Sequence, residues 1–298
     1  MIRRAVVAAA LLAAAITASA TALAQPPAFD LQAHRGGRGE TTEESLRAFA
    51  KSLALGVSTL ELDIVLTRDA QPLVWHDPVI EPAKCTDTGP AFAGDSDYPY
   101  VGRRVADLTL AQIRTLDCGH RLPEFPDAEV VQHHVIATLP EVFALAGHTG
   151  VRYNIEAKVD GGNQQQIIDV ILATVRAADK LDDVEIQSFD WRTLPLVRAA
   201  EPGIPLVALA EQGPDPIAGA LAVGADIVSP DYAVVDRAFT ERAHAAGLRV
   251  IPWTVNESDA MRQQIAAGVD GLITDYPSRL RTVMAELGMP LPRAYPLN

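Results

Sequence analysis

From residue 139 to residue 287 the chain repeats one unit: an amphipathic stretch of helix length, then a short apolar run. Helical patterns over 139–146, 164–178, 191–199, 216–222, 235–246, 258–266 and 277–287 alternate with strand-like runs at 152–157, 184–188, 204–208, 226–229, 249–253 and 271–274. Strands separated by helices cannot pair as hairpins. They join through crossovers, so the sheet is parallel and helices cover it. Two further strands are legible upstream, at 29–33 and 59–67, with a helix between them. About eight βα units in roughly 270 residues predict a closed (β/α)8 TIM barrel, an α/β fold. Functional side chains then belong at the C-terminal ends of the strands. His34, Glu61, Asp63, Glu156, Lys158, Ser188 and Trp253 all fall there.

The upstream helix is expected to start at Thr41 or Thr42, with Glu44 completing a capping box three residues after Thr41, and to end at Gly56. After the acidic strand, residues 68–71 form a turn and 72–76 return as a strand. The rhythm then breaks. Residues from 81 to about 135 are rich in Pro, Gly, Asp and Tyr, with one helical pattern at 110–116. So long a segment inside a compact domain is functional or stapled. It reads as an insertion after the second strand region, lying over the mouth of the site.

Residues 1–24 have the form of a secretory signal: Arg3 and Arg4, an apolar run over 5–16 too short to span a bilayer, and Ala22-Leu23-Ala24 as a cleavage site. The remaining 25–298 read as one barrel domain that includes the insertion, in the periplasm or secreted. In such a compartment the chain's two cysteines, Cys85 and Cys118, suggest a disulfide; a zinc site with His120 is the alternative. The formal net charge of −13, with no Lys/Arg stripe, argues against nucleic acid and against adsorption to anionic membranes. Once the signal is removed, no stable membrane insertion is expected. A small phosphate ligand stays compatible with this charge, because a metal can set the local potential.

Glu61 and Asp63 alternate with Leu60, Leu62 and Ile64, so both carboxylates point to one face of their strand. Two converging carboxylates need a cation or a shared proton. With Glu156 they make three oxygen ligands, which favour Ca²⁺ or Mg²⁺ over zinc. His34 and His76 are the acid/base candidates, and Asp77 is placed to orient His76. Arg35 offers a planar fork to phosphate and Lys158 a point charge; the alternative for each is an ion pair with one of the acids. His120, His133, His134, His148 and His244 lack such surroundings and read as packed or surface residues.

These pieces resemble the glycerophosphodiester phosphodiesterase family over about residues 30–285. The resemblance rests on His34-Arg35-Gly36, Glu61-Leu62-Asp63, His76-Asp77, Glu156-Ala157-Lys158 and the late Trp253-Thr254-Val255-Asn256. Of the family's Pro-Glu-Asn-Thr helix start only Glu43 is kept, with Thr42, Glu44 and Ser45 around it; this reads as different capping chemistry. Asp69-Ala70 stands where the family usually has Asp-Gly. The resemblance implies the same three metal ligands and a (β/α)8 barrel. It also implies hydrolysis of glycerophosphodiesters, a small-molecule substrate, to glycerol 3-phosphate and an alcohol. The mechanism it implies puts His34 and His76 on opposite sides of phosphorus, with Trp253 as an apolar wall for the glycerol carbons. The segment 268–277 resembles the family's last strand and reads as structural, with the role of Asp275 left open. Two rivals are a related phospholipase D-like barrel acting on lysophospholipid or sphingomyelin, and a non-catalytic secreted binding protein.

Overall fold

The computed structural model describes residues 28–147 and 149–296, so the expected signal segment 1–24 and His148 lie outside the described residues. The first units run β1 (Asp30–Ala33), α1 (Leu46–Leu55), β2 (Thr59–Leu66) and β3 (Pro72–Val74). The insertion contributes β4 (Thr86–Asp87), α2 (Leu110–Ile113) and β5 (Leu116–Asp117). The regular part continues with α3 (Leu139–Ala146), β6 (Arg152–Ala157), α4 (Gln164–Ala177), β7 (Val184–Ser188), α5 (Leu194–Ala200) and β8 (Leu206–Ala210). It ends with α6 (Ile217–Ala222), β9 (Ile227–Pro230), α7 (Arg237–Ala245), β10 (Arg249–Val250), α8 (Ser258–Ala267), β11 (Gly271–Thr274) and α9 (Pro277–Glu286).

The sheet order is β10-β9-β8-β7-β6-β2-β1-β11, and each of these neighbours is parallel. Asp270 N donates to Val250 O at 2.8 Å and Ile273 N to Pro252 O at 3.1 Å, which draws the last strand against the β10 end and nearly closes the barrel. The expected fold is therefore the observed one. β3 is antiparallel to β2 and lies off the barrel path.

On β2, Leu60, Leu62 and Ile64 join the main apolar core with Phe49 and Leu53 of α1. Phe49 and Leu53, one helical turn apart, are fully buried; each such side chain stabilises by about 1.5–3 kcal/mol relative to exposure. The opposite faces of the strands fill the barrel. One part of that interior is apolar, formed by Val207, Ile227, Ile251 and Ile273. The other is a polar chain. Gln32 Nε2 donates to Glu185 Oε1 at 2.8 Å, Asn154 Nδ2 to Gln32 Oε1 at 2.8 Å and to Gln187 Oε1 at 2.9 Å, and Gln187 Nε2 to Glu61 Oε1 at 2.7 Å. A buried network of this kind restricts rotamers, although Asn154 Oδ1 has no partner in it.

Several element ends differ from the sequence expectation, each for a local reason. α1 starts at Leu46, capped by Ser45, whose Oγ accepts from Ala48 N at 3.0 Å. Glu44 has φ of +55° and its carboxylate accepts from Asp63 N at 3.1 Å, so it makes no capping box with Thr41. α2 stops at Ile113 because Leu116–Asp117 pairs with Thr86–Asp87. β8 starts at Leu206 rather than 204, past Pro205, which has no N–H to give a ladder. α7 starts at Arg237 because Asp236 is its cap, accepting from Phe239 N at 2.7 Å. The β3 ladder ends at Val74, two residues before His76.

The insertion has its own small core of Trp75, Ile80, Tyr100, Leu108, Ile113 and their neighbours. Cys85 and Cys118 are disulfide-bonded across a sequence separation of 33, and the zinc alternative falls with it. On the chain-entropy account, closing that loop contributes about 3–4 kcal/mol. Changing both cysteines to serine should lower the free energy of unfolding by about that amount. Denaturant titration of the two proteins checks it; equal midpoints at equal slopes would show that the bond contributes nothing.

Candidate active site

β1 delivers His34 to the barrel mouth, and the chain then turns sharply. Arg35 is in the left-handed region at φ 49°, followed by Gly36 at 77° and Gly37 at 92°. Such a run suits glycine, and a Cβ on Gly36 would approach Ala48 Cβ to 3.0 Å. The turn aims the Arg35 backbone inward, where its N–H donates to Glu61 Oε2 at 2.8 Å. It also brings Arg35 Nε to 3.0 Å from Asp63 Oδ2.

The β2–β6 register pairs Asp63 with Glu156 and Glu61 with Asn154. Parallel pairing of adjacent strands therefore sets the three expected carboxylates side by side. One oxygen from each of Glu61, Asp63 and Glu156 lies within 4.8 Å of the others, and all three residues are buried. Burial, with Asp63 beside it, pushes the Glu61 carboxyl well above the usual carboxylate range. Burial, opposed by Lys158 and aided by Asp63, pushes Glu156 up to about 8. Asp63 goes the other way: despite its burial, Lys158 and Arg35 hold it well below the ordinary value. Neither Asp63 oxygen has a well-aligned hydrogen bond; Arg35 Nε at 3.0 Å and Lys158 Nζ at 3.2 Å serve it by charge. Lys158 Nζ also lies 2.7 Å from Glu156 Oε1. An all-oxygen set with two reluctantly ionised carboxyls and unsaturated oxygens between them fits a hard dication. Arg35 and Lys158, named as phosphate ligands, thus also take up the alternative expected of them, ion pairs with the acids.

His34, Arg35, Glu61, His76, Glu156, Lys158 and Trp253 line one cavity of about 220 Å³. An adjoining groove of about 460 Å³ shares His76, Glu156, Lys158 and Phe189 with it and runs out between residues 158–163 and the insertion at Val105 and Ala106. Burial lowers both imidazoles below the ordinary histidine value, against the pull of Asp275 on His34 and of Asp77 on His76. Trp253 donates its indole N–H to Ser229 O at 2.9 Å and packs edge-to-face on Phe189 at 5.3 Å.

A model of the glycerophosphoryl diester phosphodiesterase family matches residues 34–279. The chain belongs to this family. It is 30% identical over 257 residues to a glycerophosphodiester phosphodiesterase of Caldanaerobacter subterraneus subsp. tengcongensis, covering 86% of this chain and 98% of that one. A crystal structure from Silicibacter pomeroyi, assigned to the same kind of enzyme, superposes with a TM-score of 0.79 at 30% identity, covering 89% of this chain and 96% of that one. The structure of an Oleispira antarctica phosphodiesterase in complex with sn-glycerol-3-phosphate superposes with a TM-score of 0.73 at 20% identity, covering 86% and 96%.

Around this phosphodiesterase's site stand residues that sequence reasoning missed. Segment 268–277, read as structural with the role of Asp275 left open, delivers Asp275, whose Oδ1 is 2.5 Å from His34 Nδ1. Asn256 holds that carboxylate through Nδ2 at 2.7 Å, while Asp275 N donates to Asn256 Oδ1 at 3.0 Å. Gln187 fixes Glu61, and Phe189 lines the cavity beside Trp253. Asp275 lies 241 positions from His34, and no local pattern signals such a pair. Asp77 does what was expected of it: its Oδ1 lies 2.7 Å from His76 Nδ1.

Proposed function

We propose that this phosphodiesterase hydrolyses glycerophosphodiesters to glycerol 3-phosphate and an alcohol, with a divalent metal as cofactor and His34 and His76 as the acid/base pair. The observation that carries the reading is the shared cavity: both histidines, Glu61 and Glu156 line one space, and Asp63 lies within the same carboxylate cluster. Glu61, Asp63 and Glu156 would hold Ca²⁺ or Mg²⁺, which supplies neutralising charge to the phosphoryl oxygens.

The remaining chemistry is assigned to the chain's own residues. Each histidine faces a carboxylate through Nδ1, which requires the proton on Nδ1 and leaves Nε2 for the substrate. One Nε2 takes the proton of glycerol's 2-hydroxyl as that oxygen attacks phosphorus. The other, protonated, gives its proton to the departing alcohol as the phosphorus–oxygen bond breaks. A cyclic phosphate results, and water opens it with the two imidazoles in exchanged roles, which restores the starting protonation. Arg35 and Lys158 face the phosphate oxygens, and Trp253 with Phe189 gives the glycerol carbons an apolar wall. Purified protein with Mg²⁺ or Ca²⁺ should release glycerol 3-phosphate and choline from glycerophosphocholine. No product from any of several glycerophosphodiesters with either metal would overturn the reading.

The enzyme is proposed to act after export, in the periplasm or outside the cell, which the signal pattern of 1–24 and the disulfide support. Mass spectrometry of exported protein should find Gln25 at the N-terminus; an intact Met1 would count against it.

A further inference from the structure

The two histidines are held in different ways. His34 directly follows β1 and its partner Asp275 directly follows β11, so both stand next to the Ala33–Thr274 pair that ends the ladder. His76 lies beyond the end of β3, outside any ladder, and its side chain is 33% exposed. Its orientation depends on Asp77, and Asp77 in turn on a residue of the insertion.

We propose that Lys84 is a positioning residue for His76, holding Asp77 against the imidazole while Glu43 and the Cys85–Cys118 bond hold Lys84. The inference rests on the reading that His76 transfers a proton. Lys84 Nζ lies 2.5 Å from Asp77 Oδ2 and 2.5 Å from Glu43 Oε1. Asp77 therefore spends one oxygen on the ammonium and the other on His76 Nδ1, which sets the plane of its carboxylate and with it the ring. The ammonium also sits 5.0 Å over the Trp75 ring, a second restraint from the residue before His76.

Glu43 is a fixed anchor for this chain of contacts. Its side chain is nearly buried, and Arg38 Nε at 2.7 Å and Arg35 Nη1 at 3.3 Å hold its other oxygen. Arg35 continues to Asp63. One run of charged contacts thus joins the carboxylate cluster to His76 through Arg35, Glu43, Lys84 and Asp77. This gives Glu43, the only retained residue of the altered helix start, a role that capping chemistry does not explain. Removal of the ammonium leaves two carboxylates without their shared cation, and Asp77 is then free to turn away.

The backbone under Lys84 is secured by the staple. Lys84 N and Cys85 N both donate to Glu81 O at 3.0 Å, and His120 N, two residues past Cys118, donates to Lys84 O at 3.2 Å. With the disulfide open, the backbone around residue 84 keeps the β4–β5 pair and the bond from His120 N, but loses the covalent link that fixes these two segments together. Oxidation of Cys85 and Cys118 is thereby linked to the geometry of His76, nine positions upstream of Cys85 in sequence.

The test uses the oxidised, metal-loaded full protein with glycerophosphocholine, and ¹⁵N-histidine NMR on the same samples. Lys84→Ala should lower kcat by up to about 10²-fold with KM little changed, since the group acts through His76 and not on the substrate. The same variant should weaken the Nδ1–H signature of His76 and leave that of His34 intact. Lys84→Arg, which can still bridge the two carboxylates, should recover most of both. Lys84→Met, which keeps the aliphatic stem over Trp75, serves in place of alanine if that variant does not fold. Opening the disulfide with dithiothreitol should lower kcat in the parent and change it much less in Lys84→Ala. Parent-like kcat in Lys84→Ala or Lys84→Met, or a His76 signature unmoved by either, would overturn the proposal. If the parent turns over no glycerophosphodiester, the proposed function fails instead, and the NMR comparison still decides the positioning role.

Discussion

Asp63→Ala is expected to reduce metal-supported turnover of glycerophosphocholine by about 10³-fold or more, the cost of losing several kcal/mol of transition-state charge stabilisation. Asp63 is the shared member of the cluster. It lies beside both other carboxylates and faces Arg35 and Lys158. Its loss would remove one of the three proposed metal ligands and the carboxylate that Arg35 and Lys158 share. Glu61→Ala and Glu156→Ala should act in the same direction, and chelation should abolish activity reversibly. The measurements are kcat/KM across a metal titration and metal content of the protein. Undiminished activity of the parent in excess chelator, with no metal retained, would refute the site.

The second large effect concerns the nucleophile. Among the described residues no serine or cysteine is set beside a base and an orienting partner in this cavity; Ser188 Oγ donates to Ala157 O at 2.9 Å and the two cysteines are bonded to each other. Both imidazoles are assigned to proton transfer in the proposed mechanism. The hydroxyl on the glycerol carbon next to the ester is already part of the substrate, and its attack has the proximity advantage of an intramolecular reaction. A 2-deoxy analogue should therefore bind as a competitive inhibitor and not turn over. His34→Ala and His76→Ala should each lose about 10²–10⁴-fold in kcat. Hydrolysis of the deoxy analogue at the parent rate would sink the substrate-assisted route while leaving the metal cluster standing.

The barrel and the residues at its strand ends were legible in the sequence because both follow local rules. A period of two on β2 puts Glu61 and Asp63 on one face, and βα alternation implies parallel pairing. Parallel pairing then brings Glu156 alongside Asp63. What tertiary structure alone decided is who stands behind these residues. Asp275 meets His34 only because β11 closes onto β1. Glu44, which fits a capping box on paper, instead accepts from Asp63 N, because the turn after His34 places it in a left-handed conformation beside β2. Lys84 reaches Asp77 and Glu43 because a disulfide and a small second core fold the insertion back on the barrel. Spacing along the chain sets which face a side chain occupies. Contacts between segments far apart depend on closure of the sheet and on where an irregular segment packs, and neither leaves a periodic trace in the sequence.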